Sequence, residues 1–210
     1  MTGSEGVMVV VAGPSLDVQQ LTDRLVALGE RVAVIGARLD SAALSMSEDE
    51  ARESVVALQR IEQELGPVAS LVCVTAVPPP GPLVGSDVDQ WSDTVREGLT
   101  QPFQVIRASL PRLRRRGSGR IVLIGAGWLP SGRSERTAAA AMHGGLVALV
   151  KTLGRELAHD GISVNEVVFD PDNPPPAAAV ADTVAYLCGP YGEAVVGQLV
   201  TIGSHGEARP

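Results

Sequence analysis

The chain has few rings: Trp, Tyr and Phe together make up 3% of its 210 residues. Its core must therefore be built from Val, Leu, Ile and Ala, and an apolar content of 45% is enough for a full interior and too high for a disordered protein. Cysteine is scarcer still. Cys73 and Cys188 sit in or beside apolar segments, and two cysteines make no disulfide framework. No C-x-x-C spacing offers a metal site, and a reducing, cytoplasmic setting is expected. No apolar run nears the roughly 20 residues that cross a bilayer. The N-terminus, MTGSEGVMVVVAG, lacks the basic stretch of an export signal. Positive charge is also short: a net charge of -7 argues against a general nucleic-acid binder.

Present instead is a regular alternation. Short apolar runs rich in β-branched residues read as buried strands at 7–12 (VMVVVA), 31–36 (RVAVIG), 68–75 (VASLVCVT), 120–126 (RIVLIGA), 162–169 (ISVNEVVF) and 197–202 (GQLVTI). Between them, helical spacing marks 15–28, 48–65, 87–116, 137–161 and 180–187. In the second of these, Val55, Leu58, Ile61 and Leu65 share one face. Pro102 and Pro111 fall inside the third, and proline removes a helix hydrogen bond, so breaks are expected there. The segments VPPPGP at 77–82 and DPDNPPP at 170–176 exclude regular structure. Strands apolar on both faces, alternating with helices, predict a single α/β domain over residues 1–210 with a doubly wound parallel sheet.

The helix at 137–161 raises a separate question. Met142, Leu146, Leu149, Leu153 and Leu157 form one stripe, yet Ala140, Ala141, Gly144, Gly145, Val147 and Ala148 make the other sides small and apolar as well. Such a helix is expected to be buried all round. Its two glycines each cost about 1 kcal/mol against alanine, which close packing could offset.

Trp91 with TQPFQVIRASLPRL, then GSGRIVLIGA, LGRELAHDGISVNEVV, ADTVAYL and VVGQLVTIG, occur in an order and spacing that resemble the short-chain dehydrogenase/reductase family over nearly the whole chain. The resemblance implies a Rossmann-like sheet that usually binds NAD(P) and transfers hydride to or from a carbonyl or alcohol. It also implies where the chemistry should lie. The family's glycine-rich turn falls on AGPSLDVQ: Gly13 keeps the first glycine, while Asp17 and Gln19 stand at the second and third. Those glycines let the backbone approach a pyrophosphate. A carboxylate at Asp17 would answer the helix dipole itself and repel a phosphate.

By the same resemblance the N-N-A-G segment falls on Cys73, Val74, Thr75 and Ala76. The catalytic asparagine falls on Gly98, the serine on Ala126, the tyrosine on Ala139 and the lysine on His143. Alanine and glycine cannot exchange a proton. The segment ARLDSAALSMS is too short for a helix plus a strand, so the adenosine-side wall is expected to be reduced. After Phe169 no long substrate lid follows.

The remaining polar residues each have a plain reading. Arg38, where NADP-type relatives often carry an arginine, reads as a surface residue. His143 reads as a helix histidine satisfied by a backbone carbonyl, or else as a general acid or base, perhaps near Cys73. His159 and His205 read as surface positions, Asn165 as structural. Arg112, Arg114, Arg115 and Arg116 offset a helix C-terminus, with no interleaved aromatics for nucleic acid. Ser4, Ser131 and Ser134 lie in loops without a nucleophile turn.

The expectation is a catalytically inactive family member with no cofactor and no metal, NAD(P) binding only if a degenerate site survives. In the family this helix and the one at Trp91 form the subunit interface. The chain is thus expected to pair, through these two helices, with itself or an intact relative. Nucleic acid and membrane are not expected as partners. Two alternatives stand beside it: a non-redox enzyme of cyclase or lyase type reusing the cleft, with His143 or Asp17 recruited, and an NAD(P)-dependent oxidoreductase with displaced residues.

Overall fold

Every buried β-branched run pairs with another of its kind. The computed structural model describes residues 6–47, 53–127 and 132–203. Seven strands form one parallel sheet in the order β3-β2-β1-β4-β5-β6-β7: β1 (Val7–Val11), β2 (Arg31–Gly36), β3 (Leu44–Ser47), β4 (Val68–Val74), β5 (Gly119–Ala126), β6 (Ile162–Phe169) and β7 (Leu199–Thr201). Five helices cover it: α1 (Val18–Ala27), α2 (Ser54–Leu65), α3 (Val88–Arg116), α4 (Thr137–Glu156) and α5 (Ala177–Cys188). This is the doubly wound arrangement that the alternation predicts.

Two apolar cores lie on opposite faces of the sheet. On one, Leu58 and Ile61 of α2, Ile106 and Leu113 of α3, and Met142, Leu146 and Val150 of α4 pack on Val9, Leu71, Ile121, Leu123 and Val164. On the other, Leu21 and Leu25 of α1 and Val180 and Val184 of α5 pack on Val10, Val72, Ile124, Val167 and Phe169. Alternate strand residues thus point to opposite helical layers. Both cysteines are free and buried, and burial pushes each thiol up to about 12. Neither is a thiolate at neutral pH. Iodoacetamide at pH 8 should therefore leave the native protein unlabelled and label both sites only in denaturant. The same shift sets a sign for stability. Above about pH 9, the ordinary value, the unfolded chain releases thiol protons that the folded chain retains, so stability falls as pH rises.

The structure departs from several expectations. α3 is one continuous helix through Pro102 and Pro111. Each proline removes a single main-chain bond, and packing on α2, α4 and the sheet holds the helix in register. α4 ends at Glu156 rather than running to 161; a single 3₁₀ turn, Ala158–Asp160, precedes Gly161 at φ +71. α2 begins at Ser54, with Glu48 outside the described residues, and Val55 is exposed rather than on the buried face. α4 is not buried all round: Ala140, Ala141, Gly144 and Ala148 are exposed. The β2–β3 connection contains no helix, as expected, but LSMS still forms an edge strand, Ala33 pairing with Leu44 and Gly36 with Ser47. Residues 170–176 join β6 directly to α5, so no lid intervenes.

The arginines at the α3 C-terminus also have specific partners. Arg112 and Arg115 bind Glu62 on α2, at 2.9 and 3.2 Å, and Arg114 binds Asp160 at 2.8 Å. Asn165 is structural as expected: its amide donates to the Val195 carbonyl at 2.7 Å and accepts from the Gln198 amide at 2.9 Å.

Candidate functional site

The strand order reverses between β1 and β4. In open parallel sheets, ligands bind at such a switch point, beyond the carboxyl ends of the strands. Here that crevice is shaped by close backbone contact. A Cβ at Gly13 would overlap the Val74 carbonyl oxygen, so the turn after β1 lies directly on the end of β4. Glycine at this position is explained by packing alone.

Asp17 is the N-cap of α1. Its Oδ1 accepts from the Gln20 amide at 3.1 Å, and its Oδ2 accepts from the Gln20 side chain at 2.7 Å. A side-chain oxygen at this position satisfies an amide that has no partner within the helix. The same carboxylate repels a second anion at that end. Gln19 donates to Asp23 at 2.7 Å and to Ser41 at 3.1 Å. Ser15, in the same turn, has a buried hydroxyl without a protein partner. Arg38 is exposed just beyond β2.

On the α3/α4 side, Gly98 faces Met142, whose sulfur fills the place of any side chain at 98. Gly145 of α4 likewise takes Leu99 against it, a Cβ there standing 2.9 Å from Leu99 Cδ2. The two helices thus meet glycine against side chain twice. Ala139 is buried one turn before His143, and Ala126 closes β5. Cys73 is a packed, protonated thiol of the same core. His159 is exposed; Ser4, Ser131 and His205 lie outside the described residues, and Ser134 sits in a turn.

His143 departs most from expectation. Its partner is no backbone carbonyl but Glu166 of β6, with Nε2 3.1 Å from Oε1; the side chains are 1% and 0% exposed. The distance is that of an ion pair, but the atoms lack hydrogen-bond alignment, and both nitrogens and both carboxylate oxygens have no other protein partner. β6 places Ile162 and Val164 in the α3/α4 core and Val167 and Phe169 in the other. By that alternation Glu166 points at α4. Two glycines make room for the pair. A Cβ at Gly125 would overlap Glu166 Oε1, and a Cβ at Gly127 would overlap His143 Nδ1. Charge or a shared proton held this deep is costly unless the two groups balance each other.

Sequence reasoning missed Glu166. Its one signal was an acidic residue in a strand read as buried, where an unpaired carboxylate is not tolerated. Among the described residues no group of His, Cys, Asp and Glu is arranged to hold a metal ion, and no helix is long and apolar enough to cross a membrane.

A parallel sheet with helices on both faces and its crevice at the β1/β4 switch point defines a Rossmann-like α/β protein. The model of the short chain dehydrogenase family matches residues 3–171, and the chain belongs to that family. It is 28% identical over 178 residues to the 3-oxoacyl-[acyl-carrier-protein] reductase FabG of Salmonella typhimurium, covering 78% of this chain and 72% of that one. Against the E. coli protein of the same name the match is 29% identical and covers 63% of this chain but 54% of the relative. Among solved structures, the TT0495 protein of Thermus thermophilus superposes with a TM-score of 0.81 at 23% identity, covering 95% of this chain and 97% of its own. A short-chain oxidoreductase of Pseudomonas aeruginosa PAO1, described as containing an atypical catalytic centre, superposes with a TM-score of 0.83 at 18% identity over the full length of both. At these identities the two structures speak for the fold.

Proposed function

We propose that this chain is a family member that does not transfer hydride itself and acts as a subunit, pairing through α3 and α4 with itself or with a catalytically intact relative. The observation that carries this reading is the outer face of α4. Ala140, Ala141, Gly144 and Ala148 leave it exposed, small and apolar, a surface on which a second helix can lie closely. Beside it, α3 leaves Trp91 and Phe103 36% and 49% exposed. The cleft supports the other half of the reading. The residues at the α1 N-terminus do not fit a pyrophosphate, because Asp17 already caps it. Met142 fills the space at Gly98, and Ala139 offers no proton.

Two measurements test this. Calorimetric titration with NADH and NADPH should show no binding in the micromolar range; micromolar binding would overturn the view of α1. Size-exclusion chromatography with light scattering, alone and after co-expression with an intact relative, should show a dimer or a mixed complex. Ala141→Arg should then dissociate it with an unchanged far-ultraviolet circular dichroism spectrum and a Tm lowered only by the lost association. A chain that stays monomeric under both conditions, with the relative fully active alone, ends the subunit reading.

The His143–Glu166 pair favours a second reading, a non-redox enzyme that moves protons. A histidine nitrogen 3.1 Å from a carboxylate, with no protein partner at the other nitrogen, sets two proton-exchanging groups side by side. The relatives' names supply a trial substrate, a 3-oxoacyl thioester, whose C2 hydrogen exchanges with D₂O when removed by a base. This reading requires exchange above background that falls by about 100-fold or more in His143→Gln. Exchange at the background rate rejects it and leaves the subunit reading in place.

A further inference from the structure

A separate cleft lies outside the strand-end crevice. Residues 77–82 leave the end of β4 as a proline-rich loop and pass over the first turns of α3 and α4. With Trp91, Asp87 and Glu135 they line a half-open space of about 380 Å³, within the size range of small-molecule sites. Proline fixes φ, so the wall formed by Pro78, Pro80 and Pro82 is set before any ligand arrives.

The loop is also tied down. The Gly81 amide donates to the Glu135 carbonyl at 2.8 Å. Arg136 donates to the Pro78 carbonyl at 3.5 Å. Trp91 Nε1 donates to Thr137 Oγ1 at 3.1 Å, which fixes the indole in place.

Among the described residues the lining has one sign of charge: it includes Asp87 and Glu135 and no lysine or arginine. Asp87 spends Oδ1 on capping α3, accepting from the Asp89 and Gln90 amides at 2.9 and 3.1 Å. The nearby Arg136 side chain turns to the Pro78 carbonyl and to Asp172. The neutral polar groups are largely occupied: Ser86 Oγ donates to the Pro82 carbonyl and Thr94 Oγ1 to the Gln90 carbonyl. What remains for a ligand is an indole, proline rings and negative charge. Anions are excluded by repulsion. A neutral apolar molecule gains nothing from the carboxylates. A cation carrying a flat apolar body gains from both, since an aromatic ring attracts a cation and the carboxylates add to it.

We propose that this cleft binds a small organic cation, an ammonium group attached to a planar apolar portion. The isolated chain carries the whole cleft, and Trp91 is shared with the face proposed for pairing. The probe is benzyltrimethylammonium, with benzyl alcohol as its neutral counterpart, in a Trp128→Phe background in which Trp91 is the sole indole. Saturable change in Trp91 emission is expected at millimolar cation, with benzyl alcohol at least about tenfold weaker. Glu135→Gln should weaken the cation about three- to tenfold and leave benzyl alcohol unchanged. Glu135 is exposed, so this variant keeps the fold. As a second readout, calorimetry on Trp91→Leu should show loss of cation binding. Equal affinity for the neutral probe, no effect of Glu135→Gln, or no saturation by the cation overturns the proposal.

Discussion

Glu166→Leu lowers the unfolding free energy by about 3–5 kcal/mol, measured by urea denaturation, because it leaves the His143 imidazole alone in the interior. The cost arises from breaking the pair, not from the loss of one attractive contact. Two buried ionisable groups 3.1 Å apart tolerate burial only together; either alone must be desolvated without compensation. The double variant His143→Leu, Glu166→Leu should therefore recover most of the loss, since apolar side chains of similar volume often replace a buried pair at little cost. A double-mutant cycle isolates the coupling. If the two single substitutions each cost little and add, the pair is not coupled and the contact is incidental. Gly127→Ala should resemble the single variants, as its methyl overlaps Nδ1.

Gly13→Ala is the second large effect. The added methyl meets the Val74 carbonyl oxygen rather than the tip of a flexible side chain, so the relief must come from main chain. At least about 3 kcal/mol of destabilisation is expected, at the upper end of overpacking effects, with a correspondingly large fall in Tm. The contrast is Gly144→Ala, which meets nothing within 4 Å and should stabilise α4 slightly through helix propensity. A Gly13→Ala protein as stable as the parent would mean that the β1 turn can move, and would restore the argument that Gly13 is kept for a phosphate.

Much of the fold was legible because burial on both faces writes the central strands as apolar runs. VMVVVA and ISVNEVVF read as buried strands and are β1 and β6. Asp17 was legible too, since capping is local chemistry. β3 was not: LSMS has no apolar run, and only the edge of β2 makes it a strand. The continuity of α3 was hidden for a similar reason, because two prolines weaken a helix locally while packing on three sides decides the outcome. The His143–Glu166 pair lay furthest out of reach. The partners are far apart in the chain, and their meeting depends on the face β6 turns to α4. The exposed side of α4 was misjudged because small apolar residues satisfy the burial pattern without revealing whether a neighbour in the same chain covers them.

The glycines beside Met142, His143 and Glu166 carry a consequence for how this family member could change. Each vacancy at 98, 125 and 127 is occupied by a neighbour's side chain. No single substitution can place a side chain at 98 without displacing Met142, nor at 127 without displacing His143. Such positions change only in concert with their neighbours, through intermediates that are overfilled or hollow.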